Sequence, residues 1–288
     1  MYILGSRFAL VVISLGIVLL LVLILALRSR RTLENYTNPS GPFYEGHYAE
    51  SEPQFDSDLK VVNWNISFSK RVDEAIQALK GVEELQDADI LLLQEMETEG
   101  VDQIARNLGY DYVYYPASVH SRHGNDFGEA ILSKWPIVQH AKVILPNTVP
   151  AINPTRIAVR AEIFVDGIQV NVYNTHLETI WMLQKKGNTQ VDYLADQVEG
   201  DGDSVVLGGD FNTWNQGSID YLEARLGQSG MKRVSARTGY TFTYHGLKLT
   251  LDHMFAQGVS NYDSGVWRET NVSDHFPLWA VLQLQDVP

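Results

Sequence analysis

The segment VVLGGDFNTW, at residues 205–214, constrains the fold more than any other part of the chain. Its apolar start predicts a buried strand over residues 205–207, and the two glycines allow a sharp turn or the close approach of other groups. Asp210 and Asn212 are expected on one face, because side chains two residues apart share a face of a strand. Such a pair could orient a water beside a metal. The alternative is a plain turn, which these residue types also favour.

Four other polar clusters follow similar apolar runs. The clearest is DADILLLQE, in which Glu95 comes directly after aliphatic residues and Gln94. A carboxylate at the edge of a core is costly unless it is paired or bound to a metal. The alternative is a charged strand end in water. Repetition of the pattern favours a shared site at the strand ends.

The apolar run at residues 8–27 contains twenty positions without a charge. A helix of that length spans about 30 Å, the thickness of the hydrocarbon core of a bilayer. A cleaved signal peptide would have a shorter apolar region, of ~7–15 residues, and would end in small residues, whereas this run is followed by arginines. The sequence therefore predicts one uncleaved transmembrane helix, with residues 1–31 as the anchor and its basic flank.

Arg28, Arg30 and Arg31 follow the predicted helix, while Arg7 and the terminal amine precede it. The positive-inside rule then favours a cytoplasmic catalytic domain, although a domain on the outer face remains open because the margin is one or two charges. The chain has no cysteine, which excludes disulfides, zinc–thiolate sites and thiol catalysis.

The chain carries a net charge of −13, and without the four arginines of the anchor segment 18 basic residues face 35 acidic ones. Such a surface repels long polyanions, so no extended duplex-binding face is expected. Residues 32–58 contain three prolines and two glycines without periodicity, which predicts a linker; whether its aromatic residues dock on the domain stays open.

Residues 59–288 are expected to form one domain of about the size that a single core supports. Strand patterns alternate with helical ones over residues 71–86, 100–107 and 181–199. A hairpin is predicted around Asp166 and Gly167, a strong turn dipeptide. Because strict parallel βαβ units are not legible, the pattern predicts an α/β (α+β) fold, with two mixed sheets packed face to face and helices outside.

The polar residues at the strand ends include two histidines, several carboxylates and no cysteine. This inventory suits a hard cation such as Mg²⁺ or Mn²⁺ better than zinc. It also fits phosphoryl chemistry, which needs a cation, an activated water and hydrogen-bond donors to phosphate. The members are Asn65, Glu95, Glu129, His176, Asp210, Asn212, Asp252, Asp274 and His275.

Six motifs in order resemble the endonuclease/exonuclease/phosphatase superfamily: WNI, LLLQE, NTHLE, GGDFNT, LDHMF and SDHFPL. The resemblance covers residues 59–284. It implies a four-layer sandwich with the site at one edge of two packed sheets. It further implies that Glu95 is the principal metal ligand, helped by Asn65 and Asp274.

The resemblance also implies catalytic roles. Asp210 and Asn212 would position and activate the attacking water, and His275, oriented by Asp252, would donate to the scissile phosphate. His176 matches a second histidine of the deoxyribonuclease I and sphingomyelinase branch, and Glu129 lies where that branch has a carboxylate partner for it. Whether Glu129 and His176 pair stays open. Arg156 could contact phosphate, although its position favours a solvated strand start.

The sequence therefore predicts a membrane-anchored, Mg²⁺-dependent phosphodiesterase or phosphatase that uses an activated water. A lipid head group or a small phosphoester is favoured as substrate over long DNA. A nuclease acting on short or single-stranded nucleic acid is one alternative. A catalytically silent membrane-tethered scaffold is another, although such a protein usually loses a metal ligand or a site histidine.

Overall fold

The computed structural model describes residues 13, 16–21, 32–120, 124–146, 155–179 and 184–285. Most of the predicted membrane span at residues 8–27 lies outside these ranges, and its described part, residues 13 and 16–21, is helical. Within the described ranges, no helix has both the length and the apolar character needed to cross a bilayer.

Apart from the helical residues 13 and 16–21, the described residues form four helices and sixteen strands. The helices are α1 Val72–Gly81, α2 Thr98–Leu108, α3 Gln184–Val198 and α4 Gln216–Gln228. The strands are β1 Thr32–Asn35, β2 Tyr44–Gly46, β3 Asp58–Asn65, β4 Ile90–Met96, β5 Asp111–His120, β6 Asp126–Ser133, β7 Ile137–Ile144, β8 Ile157–Val165, β9 Ile168–His176, β10 Val205–Asp210, β11 Lys232–Arg233, β12 Phe242–Tyr244, β13 Leu247–Leu249, β14 Asp252–Gln257, β15 Val259–Val266 and β16 Leu278–Leu284.

Two mixed sheets pack face to face. The first has the order β1-β5-β6-β4-β3-β16-β15, with β2 also paired to β5, and the second has the order β11-β14-β10-β9-β8-β7. Each sheet contains one parallel pair, β3 with β4 and β9 with β10. The aliphatic core between them includes Val61, Leu92, Val159 and Val172.

The helices cover the outer faces of the sheets. Apolar residues of α1 and α2, such as Ile76 and Ile104, pack on the first sheet, and those of α3 and α4, such as Leu194 and Leu222, pack on the second. The predicted four-layer arrangement of two mixed sheets flanked by helices is therefore confirmed.

The predicted hairpin around Asp166 and Gly167 joins β8 to β9. Both turn residues have positive φ, 49° and 86°, and Val165 pairs with Ile168 across the turn. A two-residue turn of this kind matches the right-handed twist of the flanking strands. It places the start of β8 beside the end of β9, which matters for the site.

Part of the predicted linker at residues 32–58 lies on the domain. Strands β1 and β2 pair with β5, and the Lys142 ammonium donates to the Gly41 carbonyl at 2.8 Å and to the Tyr36 carbonyl at 3.3 Å. These contacts satisfy backbone groups that a free tether would leave to water. Residues 32–46 are thus part of the sheet edge.

Strand β10 continues through both glycines to Asp210, so the sharp turn expected at Gly208 and Gly209 is wrong. The other expectation, close approach, is confirmed. A Cβ on Gly209 would lie 2.0 Å from the Thr175 carbonyl oxygen, and one on Gly208 would lie 2.5 Å from a Leu92 methyl group. The glycines therefore let β10 lie against β9 and against the opposite sheet.

Candidate active site

Three of the predicted residues are side by side at one end of the second sheet. Asp210 is the register partner of His176 on parallel β9 and of Asp252 on antiparallel β14. The first sheet brings Asn65 and Glu95 to the same end, because β3 and β4 are parallel. Strand pairing therefore assembles residues that are far apart in the sequence.

Asp210 is the centre of the cluster and is buried. Its Oδ2 accepts a hydrogen bond from Asn65 Nδ2 at 3.2 Å, and the Nε2 atoms of His176 and His275 lie 3.4 and 3.6 Å from that oxygen. Its Oδ1 accepts from the backbone N–H of Asn212 at 3.0 Å. Both carboxylate oxygens are thus held in place by nitrogen donors.

His275 is oriented by Asp252. Its Nδ1 lies 2.8 Å from Asp252 Oδ2, in a pair that is buried on both sides. The Asp252 backbone N–H donates to Thr241 Oγ1, and Trp64 Nε1 donates to the His275 carbonyl. These bonds fix the ring so that Nε2 faces Asp210.

Burial alone would lower the pKa of His275, but the carboxylates of Asp252 and Asp210 outweigh burial and raise it. For Asp210, burial raises the pKa, the His275 cation opposes that rise, and the neighbouring Asp252 carboxylate adds to it. The imidazole therefore stays protonated at neutral pH, and Asp210 is a more basic carboxylate than one in water. A proton donor and a proton acceptor lie 3.6 Å apart.

His176 differs from His275, although both are buried. Burial lowers its pKa well below the usual value, with smaller contributions from the positive charges of Arg156 and His275. Its Nε2 faces Asp210, while its Nδ1 has no hydrogen-bond partner among the described residues. We infer a neutral ring with the proton on Nε2.

Glu129, on β6, is fully buried, and neither of its carboxylate oxygens has a hydrogen-bond partner among the residues described. No hydrogen bond therefore joins Glu129 to His176 in this part of the structure, and His176 Nδ1 is also without a partner there. Burial raises the pKa of Glu129 well above its usual value, while Arg156 and Lys142 oppose that rise.

Glu95 lies where β4 is irregular. The pairing with β6 shifts between Leu93 and Met96, and Glu95 has a φ of 55°. This bulge redirects the side chain at the strand end. Burial raises the pKa of Glu95, the His275 cation lowers it and Asp274 raises it. Asp274 is exposed, so it forms the solvent side of this group.

Asn212 reaches the site by a different route from the one predicted. Strand β10 ends at Asp210, and Asn212 adopts a left-handed φ of 50° with its N–H bonded to Asp210 Oδ1. Its Nδ2 donates to the Leu177 carbonyl at 2.9 Å. The shared-face argument is therefore wrong, because Asn212 lies beyond the end of β10, in an Asx turn that begins at Asp210.

The donor set fits a divalent cation. Glu95 and Glu129 are carboxylates with pKa values raised by burial, and the Glu129 oxygens and Asp252 Oδ1 are unbonded within the described residues. A cation would offset the cost of burying such groups. Asp210, Asp252 and His275 also bring ligand atoms within 4.8 Å of one another and could hold an ion.

Arg156 is only 4% exposed, so the expectation of a solvated strand start is also wrong. Its Nε and Nη1 atoms have no hydrogen-bond partner among the described residues. Its charge acts on Glu95, Glu129 and His176. The predicted hairpin could have indicated this position, because antiparallel pairing of β8 and β9 places Arg156 at the end of β9 that carries His176.

A second group that sequence reasoning missed lies beneath the site. Gln94 Nε2 donates to Asn63 Oδ1 at 2.8 Å and to Asn174 Oδ1 at 2.6 Å, and Asn174 Nδ2 donates to the Leu93 and Ala130 carbonyls. Asn174 belongs to the second sheet and its acceptors to the first. These buried amides therefore fasten the two sheets together under Asp210.

A model of the Endonuclease/Exonuclease/phosphatase family matches residues 62–275. A curated relative, a UPF0294 protein of Vibrio cholerae, is 24% identical over 227 residues, covering 77% of this chain and 77% of that protein.

Two solved structures share the fold. The endonuclease/exonuclease/phosphatase from Beutenbergia cavernae aligns with a TM-score of 0.65 at 19% identity, covering 79% of this chain and 72% of that chain. The mannosyl-6-phosphatase of Bacteroides thetaiotaomicron aligns with a TM-score of 0.60 at 19% identity, covering 78% of this chain and 99% of that chain.

Proposed function

Because the chain belongs to the endonuclease/exonuclease/phosphatase family, whose members are metal-dependent phosphoester hydrolases, we propose that it hydrolyses a phosphoester by attack of an activated water. The observation that carries this proposal is the buried group of Asp210, His275 and Asp252. A basic carboxylate there faces a protonated imidazole across 3.6 Å, which is the acid–base pair that this hydrolysis needs.

The proposed cofactor is Mg²⁺, with Mn²⁺ as a substitute. Glu95 would hold it, with Asn65 and Asp274 as the further ligands. When bound, the cation offsets negative charge on the phosphate and on the entering water. The group of Asp210, Asp252 and His275 is the less suitable site, because His275 is protonated and its Nδ1 is already bonded to Asp252.

Asp210 would accept the proton of the attacking water, and Asn212 would help to position that water. The raised pKa of Asp210 makes this transfer more favourable at neutral pH than it would be for a solvated aspartate. The Asn212 turn bonded to Asp210 Oδ1 keeps both side chains in one place. The attacking water would therefore be deprotonated by a base, Asp210, that is already held in position.

His275 would donate from Nε2 to a phosphate oxygen, while Asp252 holds its Nδ1–H. Arg156 would bind another phosphate oxygen through the nitrogens that have no partner in the described part of the protein. Neutral His176 can donate from Nε2. These donors would stabilise the negative charge that develops on the phosphate in the transition state.

Two further features of the proposal concern location and substrate. We place the catalytic domain at a membrane through residues 8–27, on the cytoplasmic side by the arginine bias. The fold of a neighbour that is a mannosyl-6-phosphatase supports a small phosphoester, and the net charge of −13 disfavours long nucleic acid.

The test uses the full chain in detergent with bis(p-nitrophenyl) phosphate, p-nitrophenyl phosphate and a short single-stranded oligonucleotide. We expect turnover that needs Mg²⁺ and stops with a chelator. His275→Ala should lower kcat by at least about 100-fold with little change in KM, as for loss of a general acid or transition-state donor. The control is His47→Ala, whose side chain is 70% exposed. If all three compounds are hydrolysed at rates that do not depend on Mg²⁺, the proposal is refuted.

A further inference from the structure

The polypeptide enters the domain at the active-site end of the sheets. In the antiparallel pair of β1 and β5, Thr32 is opposite His120 and Asn35 is opposite Ser118. His120 ends β5 beside the start of β6, and β6 pairs with the end of β4 through Gly128 and Met96. The first residue of β1 is therefore at the same end of the sheet as Glu95.

A continuous row of rings joins this entry point to the catalytic cluster. The His120 ring lies 4.9 Å from the Phe68 ring, Phe68 lies 5.2 Å from Phe127, and Phe127 lies 6.0 Å from His176, measured between centroids. His176 contacts Asp210. The entry point and the site are thus separated by three ring contacts.

The predicted anchor leaves little chain between the bilayer and this entry point. The apolar run ends at residue 27 and β1 begins at residue 32. The five Cα–Cα steps from residue 27 to residue 32 span at most about 18 Å when fully extended. The hydrogen bonds from Lys142 to the Tyr36 and Gly41 carbonyls keep the following segment on the domain, so it adds no slack.

The opposite end of the domain points away from the entry point. The β8–β9 turn at Asp166 and Gly167 is there, and nine-residue strand β8 is about 30 Å long at 3.3 Å per residue. A short tether at one end of a domain of this length brings that end to the membrane. The active-site end is therefore the one that faces lipid.

Exposed apolar side chains lie on the elements that border the site. Tyr244 and Leu247, 59% and 48% exposed, are on the β12–β13 hairpin, which is bonded to the site loop through Thr243 N–H and the Asp274 carbonyl. Trp214, 36% exposed, closely follows Asn212. Tyr and Trp suit the boundary between head groups and hydrocarbon, because they combine an apolar body with a polar tip.

We propose that the substrate is a phosphoester in the head group of a lipid in the same bilayer. This inference rests on the proposed hydrolase activity and on the proposed anchor. Water supplies the oxygen of the new P–O bond, the ester P–O bond breaks, and the leaving oxygen takes up the proton, so no oxidant or reductant is needed. Because the short tether holds the active site at the bilayer, the lipid substrate reaches it by lateral diffusion.

The first test lengthens the tether in the full chain. A Gly/Ser segment of about 30 residues is inserted between Arg31 and Thr32, and the control inserts the same segment between Asp166 and Gly167. The probes are the p-nitrophenyl ester of a long-chain phosphatidic acid in phosphatidylcholine vesicles and its short-chain, water-soluble analogue. They have the same scissile bond.

We expect the longer tether to reduce turnover of the vesicle ester by about tenfold, since effective concentration falls steeply with linker length, and to leave the soluble ester unaffected. The far-end insertion should change neither rate. The inference would be overturned if the longer tether reduced turnover of both esters equally, or if it left turnover of the vesicle ester unchanged. It would also be overturned if the unmodified chain cleaved only the soluble ester.

The second test needs no catalysis. The chain has no cysteine, so Tyr244→Cys and Phe164→Cys each give a single labelling site. Phe164 is also exposed, at 38%, but lies at the far end of β8. A nitroxide at position 244 should be broadened by a lipid-bound paramagnetic metal, and one at 164 should not. Equal broadening at both positions would refute the orientation.

The outcomes separate this inference from its premises. A chain that does not float with vesicles refutes the anchor, and one inactive on the soluble analogue as well as on the compounds tested above refutes the proposed hydrolase. A vesicle-bound chain that cleaves the soluble ester and ignores tether length refutes only the lipid substrate.

Discussion

The bond between Asp252 and His275 makes a quantitative prediction about pH dependence. Asp252→Asn keeps the shape of the side chain and an oxygen 2.8 Å from His275 Nδ1, but it removes the negative charge. Hydrogen bonds to charged groups contribute about 1.5–3 kcal/mol, and one pKa unit corresponds to about 1.36 kcal/mol. The pKa of His275 should therefore fall by about one to two units and stay above its ordinary value, because Asp210 and Asp274 still raise it.

The assay is the pH profile of kcat/KM with saturating Mg²⁺ on bis(p-nitrophenyl) phosphate. Loss of activity at high pH reports loss of the His275 proton, so this limb should move to lower pH in Asp252→Asn by about one to two units. The control is Asp220→Asn, an exposed carboxylate on α4, whose profile should match the wild type. Superimposed profiles for Asp252→Asn and wild type would refute a proton held by this pair.

The same bond has a stability consequence of defined sign. The pKa of His275 is raised from 6.5 to about 10 in the folded protein, so its proton stabilises the fold fully below pH 6.5. That contribution is lost as the pH rises through about 10. The difference in unfolding free energy between wild type and Asp252→Asn should shrink over this range. A difference that is constant with pH would contradict the assignment.

Two further predictions follow from buried groups. Gly209→Ala places a Cβ 2.0 Å from the Thr175 carbonyl oxygen, and this overpacking should lower the free energy of unfolding by at least about 2 kcal/mol. The control is Gly81→Ala, whose Cβ meets nothing within 4 Å and should not lower it. Equal free energies of unfolding for the two variants would refute the packing argument. Because burial raises the pKa of Glu129, the wild type should lose stability above pH 4.5, by up to about 1.4 kcal/mol per pH unit. Glu129→Gln should remove this dependence on pH. Parallel curves of unfolding free energy against pH for the two proteins, measured by urea unfolding, would refute this.

Much of the fold and the membership of the cluster could be predicted from the sequence. Apolar runs fix the strands by burial, and polar residues such as Asn65 and Asp210 are at strand ends because the core excludes them. His176, Asp210 and Asp252 are then adjacent through strand pairing, which a family motif implies and a pattern of hydrophobicity does not. The sequence also indicated the layers, since strand and helix patterns alternate.

Other features depended on backbone geometry that single-residue patterns do not carry. Asn212 has a left-handed φ, and Glu95 sits in a bulge, so neither follows the two-residue period of a strand. Strands β1 and β2 pair with β5 even though prolines and glycines lie in and between them, because an edge strand needs only a few backbone hydrogen bonds. The bulge at Glu95 and the edge strands depend on pairing with distant strands, whereas the φ of Asn212 belongs to the local turn bonded to Asp210.

Asn63, Gln94 and Asn174 explain how the cluster can stay in place despite its electrostatic cost. Asp210, Glu95 and Glu129 carry carboxyl groups that burial destabilises in the charged form, so they favour separation of the two sheets. Beneath them, Asn174 of the second sheet bonds to Gln94 and to two backbone carbonyls of the first sheet, and Gln94 also donates to Asn63. Breaking these bonds would leave buried amides unpaired, at about 1–3 kcal/mol each. The same hydrogen bonds that make this part of the core polar therefore oppose separation, and the residues above them keep the geometry that a cation and a phosphate require.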